Sequence, residues 1–131
     1  MNVDRFRNGM AGGDLDAVVA TLAPDIRLFS PTTHLPFRGI DQVRPVLGAV
    51  LTVLEDLSYV GELAGAADSG GAVHGLLFRG RVADREFHGL DLLELDGTGS
   101  IATLTIMVRP LSGLTALKDA MTSALATGRV R

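Results

Sequence analysis

Two groups able to move a proton stand out by where hydrophobic alternation puts them. The 131 residues hold fifteen acidic side chains, three histidines and no cysteine. On both sides of Ala83-Asp84 hydrophobicity repeats every second residue, as in strands with one buried face. Over 72–82 the even positions Ala72, His74, Leu76, Phe78, Gly80 and Val82 are apolar except His74. Over 85–95 the odd positions Phe87, Gly89, Asp91, Leu93 and Leu95 are apolar except Asp91. A two-residue turn at Ala83-Asp84 pairs Val82 with Arg85. Leu76 then faces Asp91, and His74 faces Leu93. His74 and Asp91 become diagonal neighbours on one face, about 7–8 Å apart between backbones. A slip of one residue would send them to opposite faces.

A carboxylate on an apolar face is costly without hydrogen bonds or a charged partner. Desolvation raises an aspartate pKa and a nearby imidazolium lowers it. A neutral carboxyl can donate to a carbonyl or oxyanion, and an ionised one can remove a proton. The plain structural alternative is that Asp91 bonds a buried amide or hydroxyl and His74 is a core histidine satisfied by a neighbour. His34 lies in a proline-containing loop where a pocket mouth can form, or where it is simply solvated. His88 falls on the mixed face opposite Arg79 and is expected outside. The histidines lack metal-ligand spacing, so no metal site is expected. Phosphate-binding glycine loops, dinucleotide fingerprints and nucleophile elbows do not occur either. No cofactor is called for.

The elements that must hold these groups are helices first and strands after. A segment over about 3–10 ends at Gly12-Gly13, and Asp14 suits an N-cap for a helix over 15–22. Leu15, Val18, Val19 and Leu22 form its apolar stripe. Ala23-Pro24-Asp25 stops it. A short strand over 26–30 and a loop over 31–39 follow. Asp41 can cap a third helix to about Leu54, with Val43, Val46, Leu47, Val50, Leu51 and Leu54 as its buried stripe. Strands over about 57–64, 72–82, 85–95 and 101–109 are joined by connectors short enough for hairpins. A last helix over about 112–126 places Leu114, Leu117, Met121, Ala124 and Leu125 on one side. Helices followed by a meander give an α+β layer around one core, a single domain over 1–131.

Composition narrows the partners. Net charge is −3 and the twelve Lys and Arg are scattered, which argues against nucleic acid and against an acidic membrane surface. No apolar run approaches the roughly 20 residues of a membrane span. The start lacks the basic and apolar regions of a signal peptide, so a cytoplasmic protein is expected. Mean hydropathy is +0.30, high enough that apolar surface is expected between subunits or around a ligand.

Several motifs in order resemble the nuclear-transport-factor-2-like superfamily, which includes ketosteroid isomerases, SnoaL-like polyketide cyclases and limonene-epoxide hydrolases. They are Gly13-Asp14-Leu15-Asp16, Ala23-Pro24-Asp25, Ser30-Pro31, Phe37-Arg38-Gly39, Gly89-Leu90-Asp91 and Asp96-Gly97-Thr98-Gly99-Ser100-Ile101. The resemblance spans roughly residues 3 to 110. It implies a cone: a curved antiparallel sheet wrapped by N-terminal helices around a deep pocket (a cystatin-like α+β barrel), with an extra C-terminal helix. It also implies a homodimer through the outer sheet face, where Val73, Leu77, Leu90 and Leu92 would need covering. In ketosteroid isomerases the position aligned with Asp91 is an acid that hydrogen-bonds the substrate oxygen. The tyrosine beside it aligns with Phe6 and the general base with Ser30, so two of three groups have no equivalent. Near two carboxylate positions of the epoxide hydrolases stand Arg81 and Ile106. SnoaL-like cyclases use an inward acid–base aspartate, often with histidines, and the His74/Asp91 pair is closer in type to theirs.

The resulting expectation is a pocket for a small apolar carbonyl compound, with proton-transfer chemistry of the isomerase or cyclase kind. Asp91 would be the acid–base group and His74 its partner. Leu76, Phe78, Phe87, Leu104, Ile106 and Val108 would form the walls, Phe6 would stand at the former tyrosine position, and Ser30 and His34 would lie at the rim. The alternative is a non-catalytic ligand-binding or dimeric interaction module with a vestigial pocket.

Overall fold

In the computed structural model, which describes residues 1–130, Ala83 takes φ 53° and closes the expected two-residue turn. The pairing it sets runs without a shift from Val82↔Arg85 to Val73↔Glu94, so Leu76 faces Asp91 and His74 faces Leu93. This hairpin, β4 (Ala72–Val82) and β5 (Arg85–Leu95), is the middle of a six-stranded sheet. The remaining elements are α1 (Asn2–Ala11), α2 (Leu15–Val19), β1 (Leu22–Phe29), β2 (Phe37–Arg38), α3 (Ile40–Val53), β3 (Glu55–Ala66), β6 (Ile101–Arg109) and α4 (Leu111–Ala126). Strand order is β2-β1-β6-β5-β4-β3, a curved sheet that does not close. All neighbours are antiparallel except β1 and β6, which run parallel. This is the α+β architecture with an added C-terminal helix that the sequence implied.

Local chemistry accounts for the departures from the expected boundaries. The Asp14 side chain accepts from the Ala17 N–H at 3.1 Å and caps α2 as expected. The helix ends at Val19 rather than running to 22, because Leu22 is drawn into β1 opposite Ile101. Pro24 sits where the β1–β6 register shifts, a place where a missing N–H does least harm. The expected loop contains β2, which pairs Phe37 with Leu28. Helix α3 is capped by Gly39 (φ 77°), not by Asp41. Asp41 lies in the first turn, where its charge complements the helix dipole. In α4, Leu117 and Ala124 are buried but Leu125 is exposed, so the apolar stripe is narrower than its spacing suggested.

The core forms two clusters on the concave side. One joins Val3, Phe6, Leu28, Leu47, Leu76, Leu93 and Leu104; the other joins Phe78, Phe87 and Leu117. Leu57, Tyr59 and Ile106 pack against both. Two aromatic rings lie over inward glycines of the opposite strand. A Cβ at Gly89 would sit 2.1 Å from the Phe78 ring, and one at Gly80 would sit 3.1 Å from the Phe87 ring. Gly113 lets α4 approach the sheet, since a Cβ there would meet Phe87 Cβ at 2.7 Å and the Glu86 carbonyl at 2.8 Å. Among the described residues no helix is long and apolar enough to cross a membrane.

On the convex side Leu63, Leu77 and Met107 are exposed and Val73, Leu90 and Leu92 half-buried. Gly61 and Gly75 lie beneath the Leu77 and Leu90 side chains. The outer face is apolar over three adjacent strands, β3 to β5, and reaches β6 at Met107.

Candidate functional site

Asp91 is the charged residue of the core, 4% exposed among leucines, isoleucine and valines. It stands on β5 between Leu76 of β4 and Ile106 of β6. Its one hydrogen bond comes from Tyr59: the phenol donates to Oδ2 at 2.9 Å. No other hydrogen bond reaches the carboxyl among the described residues. Tyr59 stands on β3, beyond β4, so its side chain crosses a two-strand gap of roughly 10 Å. Its ring meets Phe78 edge-on, with centroids 6.2 Å apart and planes at 70°, a favourable aromatic arrangement.

Burial pushes the Asp91 carboxyl up to about 7, and the Tyr59 hydrogen bond pulls partly against that rise. Burial, with the Asp91 charge and the hydrogen bond to it, drives the Tyr59 phenol well above its ordinary range. Tyr59 therefore remains a neutral donor while Asp91 exchanges its proton near neutral pH. With Oδ2 occupied, Oδ1 is the atom left for a ligand.

The pair forms part of a narrow pocket with a cavity volume of about 40 Å³. It opens at the seam of the two core clusters. Val46 and Val50 come from α3, Leu54 from its C-cap, Leu57 from β3, Phe78 from β4, Ile106 and Val108 from β6, and Leu117, Lys118 and Met121 from α4. Ser30, Pro31 and Thr32, at the end of β1, complete the lining with Met10 and Leu28.

Of the residues singled out from sequence, Asp91, Ser30, Phe78, Ile106 and Val108 come together here. His74 does not partner Asp91. It lies on the same face, but its Nδ1 is buried without a hydrogen-bond partner. Leu76 and Leu93, both fully buried, occupy the other corners of the same square of paired residues. Leu76, Leu104, Phe87 and Phe6 are core side chains that do not line the pocket. His34 lies on a separate shallow surface depression with Thr33, Leu35, Pro36, Phe37 and Gln42. His88 is exposed on the outer face beside Arg109.

Tyr59 was the group missed. Tyr59 could have been suspected as a partner for Asp91, being the only tyrosine in the chain, two residues after Leu57 in a strand. A bulge hid its direction. Tyr59 pairs with Phe78, but Gly61 pairs with Leu77, so Val60 is extra and the inward phase changes from odd to even. Beyond the bulge Glu62 pairs with Leu76 and meets Arg7 of α1 at 2.8 Å.

The chain matches the SnoaL-like domain over residues 3–109 and belongs to that family. Among solved structures it is similar to a steroid delta-isomerase from Pseudomonas aeruginosa. Identity is 36%, with 96% of this chain and 90% of that one covered and a TM-score of 0.87. An uncharacterised cystatin-like-fold protein from Silicibacter pomeroyi DSS-3 is 31% identical, covering 96% and 86%, with a TM-score of 0.86. The epoxide hydrolase/cyclase-like enzyme SalBIII, which has a role in pyran ring formation in salinomycin, is 13% identical. It shares the fold, with 86% and 90% covered and a TM-score of 0.67. Among curated proteins no sequence matches.

The raised Asp91 pKa has a signed consequence for stability. The folded carboxyl titrates at about 7 against 3.8 when unfolded, so the folded state binds more protons between those values. Stability must fall as pH rises through that window and level off above it. The contribution of this one group is on the order of 4 kcal/mol. Urea denaturation of wild type and Asp91→Asn across about pH 4 to 8 should show the difference, with the decline weaker in the variant by this amount. Parallel profiles would mean that Asp91 titrates normally.

Proposed function

We propose that the protein is a cofactor-independent isomerase or cyclase that moves a proton on a small apolar carbonyl compound. The observation that carries this reading is the buried Asp91–Tyr59 pair in an otherwise apolar pocket. In its ionised form Asp91 takes a proton from the carbon beside the carbonyl through Oδ1, leaving an enolate. The protonated carboxyl then returns that proton to another carbon or to oxygen, so the residue ends as it began. Tyr59 holds Oδ2 throughout and sets the carboxyl's direction and its pKa. A group titrating near the working pH is well matched to both halves of such a transfer. The likeness to a steroid delta-isomerase and to a cyclase-like enzyme supports this reaction class. His74, without a bond to Asp91, has no part in the transfer.

Exchange of α-protons in heavy water, followed by proton NMR on cyclohexanone and methyl jasmonate, tests this without knowledge of the product. The wild type should accelerate exchange of at least one of them, and Asp91→Asn should lower the rate by about 10²-fold or more. In Tyr59→Phe the lost hydrogen bond lets the Asp91 pKa rise, so the rising, low-pH limb of the pH–rate profile should move to higher pH. An Asp91→Asn protein as active as wild type would remove Asp91 from the mechanism.

The apolar outer face carries a second proposal, a homodimer closing over Leu63, Leu77, Leu90, Leu92 and Met107. Exposed patches of this kind mark association surfaces. Sedimentation at varied concentration should give a dimer for wild type and a shift to monomer for Leu77→Glu. A wild type that stays monomeric throughout contradicts it.

A further inference from the structure

The chain has eleven arginines and a single lysine, Lys118, and that lysine lines the pocket. It is exposed on α4, one residue after the buried Leu117, which puts it at the mouth rather than the floor. Lys118 forms no ion pair among the described residues. Arg7, Arg44 and Arg81, by contrast, are each held by carboxylates.

Ser30, half-buried, and Thr32, exposed, line the same pocket. Their hydroxyls bond each other at 3.0 Å, and the Thr32 N–H donates to Ser30 Oγ at 3.2 Å. Two hydroxyl hydrogens share one mutual bond, so one hydrogen is left over whichever oxygen donates. The mouth thus offers an ammonium and a spare O–H, with no acidic side chain in the lining except Asp91. Apart from these groups, Asp91 and Tyr59, the lining is apolar, with Val46, Val50, Ile106 and Val108 among it. Such a lining suits a ligand with an anionic end, an apolar middle and a carbonyl at the inner end.

We infer that the pocket takes an apolar keto acid, its carboxylate held at the mouth by Lys118 and the spare hydroxyl of Ser30 or Thr32. The carboxylate's two oxygens and single charge match one ammonium and one O–H. This rests on the reading of the pocket as a carbonyl site and adds the class of substrate. It also gives α4, which begins beyond the stretch matched by the SnoaL-like domain, a role in selection of the ligand.

9-Oxodecanoate and methyl 9-oxodecanoate form a matched keto acid and neutral keto ester, each with its carbonyl at the far end of an apolar chain. Calorimetric titration of each, at low and high salt, tests the inference. Wild type should bind the acid roughly fivefold more tightly at low salt, as a partly exposed ion pair allows, and lose that preference as salt screens it. Lys118→Gln should bind both equally, with ester affinity unchanged, while Lys118→Arg should keep the preference. Equal binding by wild type, or a preference surviving in Lys118→Gln, overturns the inference and leaves the carbonyl pocket standing. Failure to bind either compound at millimolar concentration overturns the pocket reading, and the inference with it.

Discussion

The cost of removing one carboxyl from water governs this molecule. Asp91 is surrounded by side chains that cannot solvate a charge, and a single phenol hydrogen bond offsets only part of that loss. A carboxyl so placed must either shed its charge or find compensation. Here it does some of each, and the result is a group balanced between forms near neutral pH. A leucine at this position would pack with Leu76 and Leu93 and remove the charge, leaving only the Tyr59 hydroxyl without its partner. The acid therefore reads as a feature that the core tolerates rather than one it requires.

The surrounding architecture keeps that acid both buried and reachable. The sheet curves, and its two core clusters do not merge; the gap between them is the pocket. Gly89 accommodates the Phe78 ring, which would otherwise need space of its own beside Tyr59. Gly113 brings α4 close enough to form one wall without filling the cavity. Tyr59, Leu57 and Ile106 touch both clusters, so the donor to Asp91 is held from two sides. Such support limits the motion of the phenol and of the carboxyl it bonds.

Much of this was legible in the chain. The turn at Ala83-Asp84 fixed the register of β4 and β5, and with it the inward direction of Asp91 and the outward direction of Leu77 and Leu90. Alternation reports which face a side chain takes but not its depth along that face. Leu76 and Leu104 share a face with Phe78 and Ile106, yet the first two lie within the core and the second two beside the cavity. The same limit made His74 look like a partner, since a shared face and diagonal register do not secure a hydrogen bond. The bulge at Val60 was hidden for another reason. It depends on how β3 fits the curvature of its neighbour, and its one local signal, Gly61 within the strand, marks a bulge without fixing which neighbouring residue is extra. The true partner was thus two strands away, on a strand whose phase changes midway.

The central claim is that burial leaves Asp91 with a proton to exchange near neutral pH. The most direct measurement is a carbon NMR titration of the assigned Asp91 side-chain carboxyl in the folded protein. A midpoint at about 7, moving higher in Tyr59→Phe, is the expected result. A midpoint near the ordinary aspartate value of about 3.9, insensitive to Tyr59, would contradict the account.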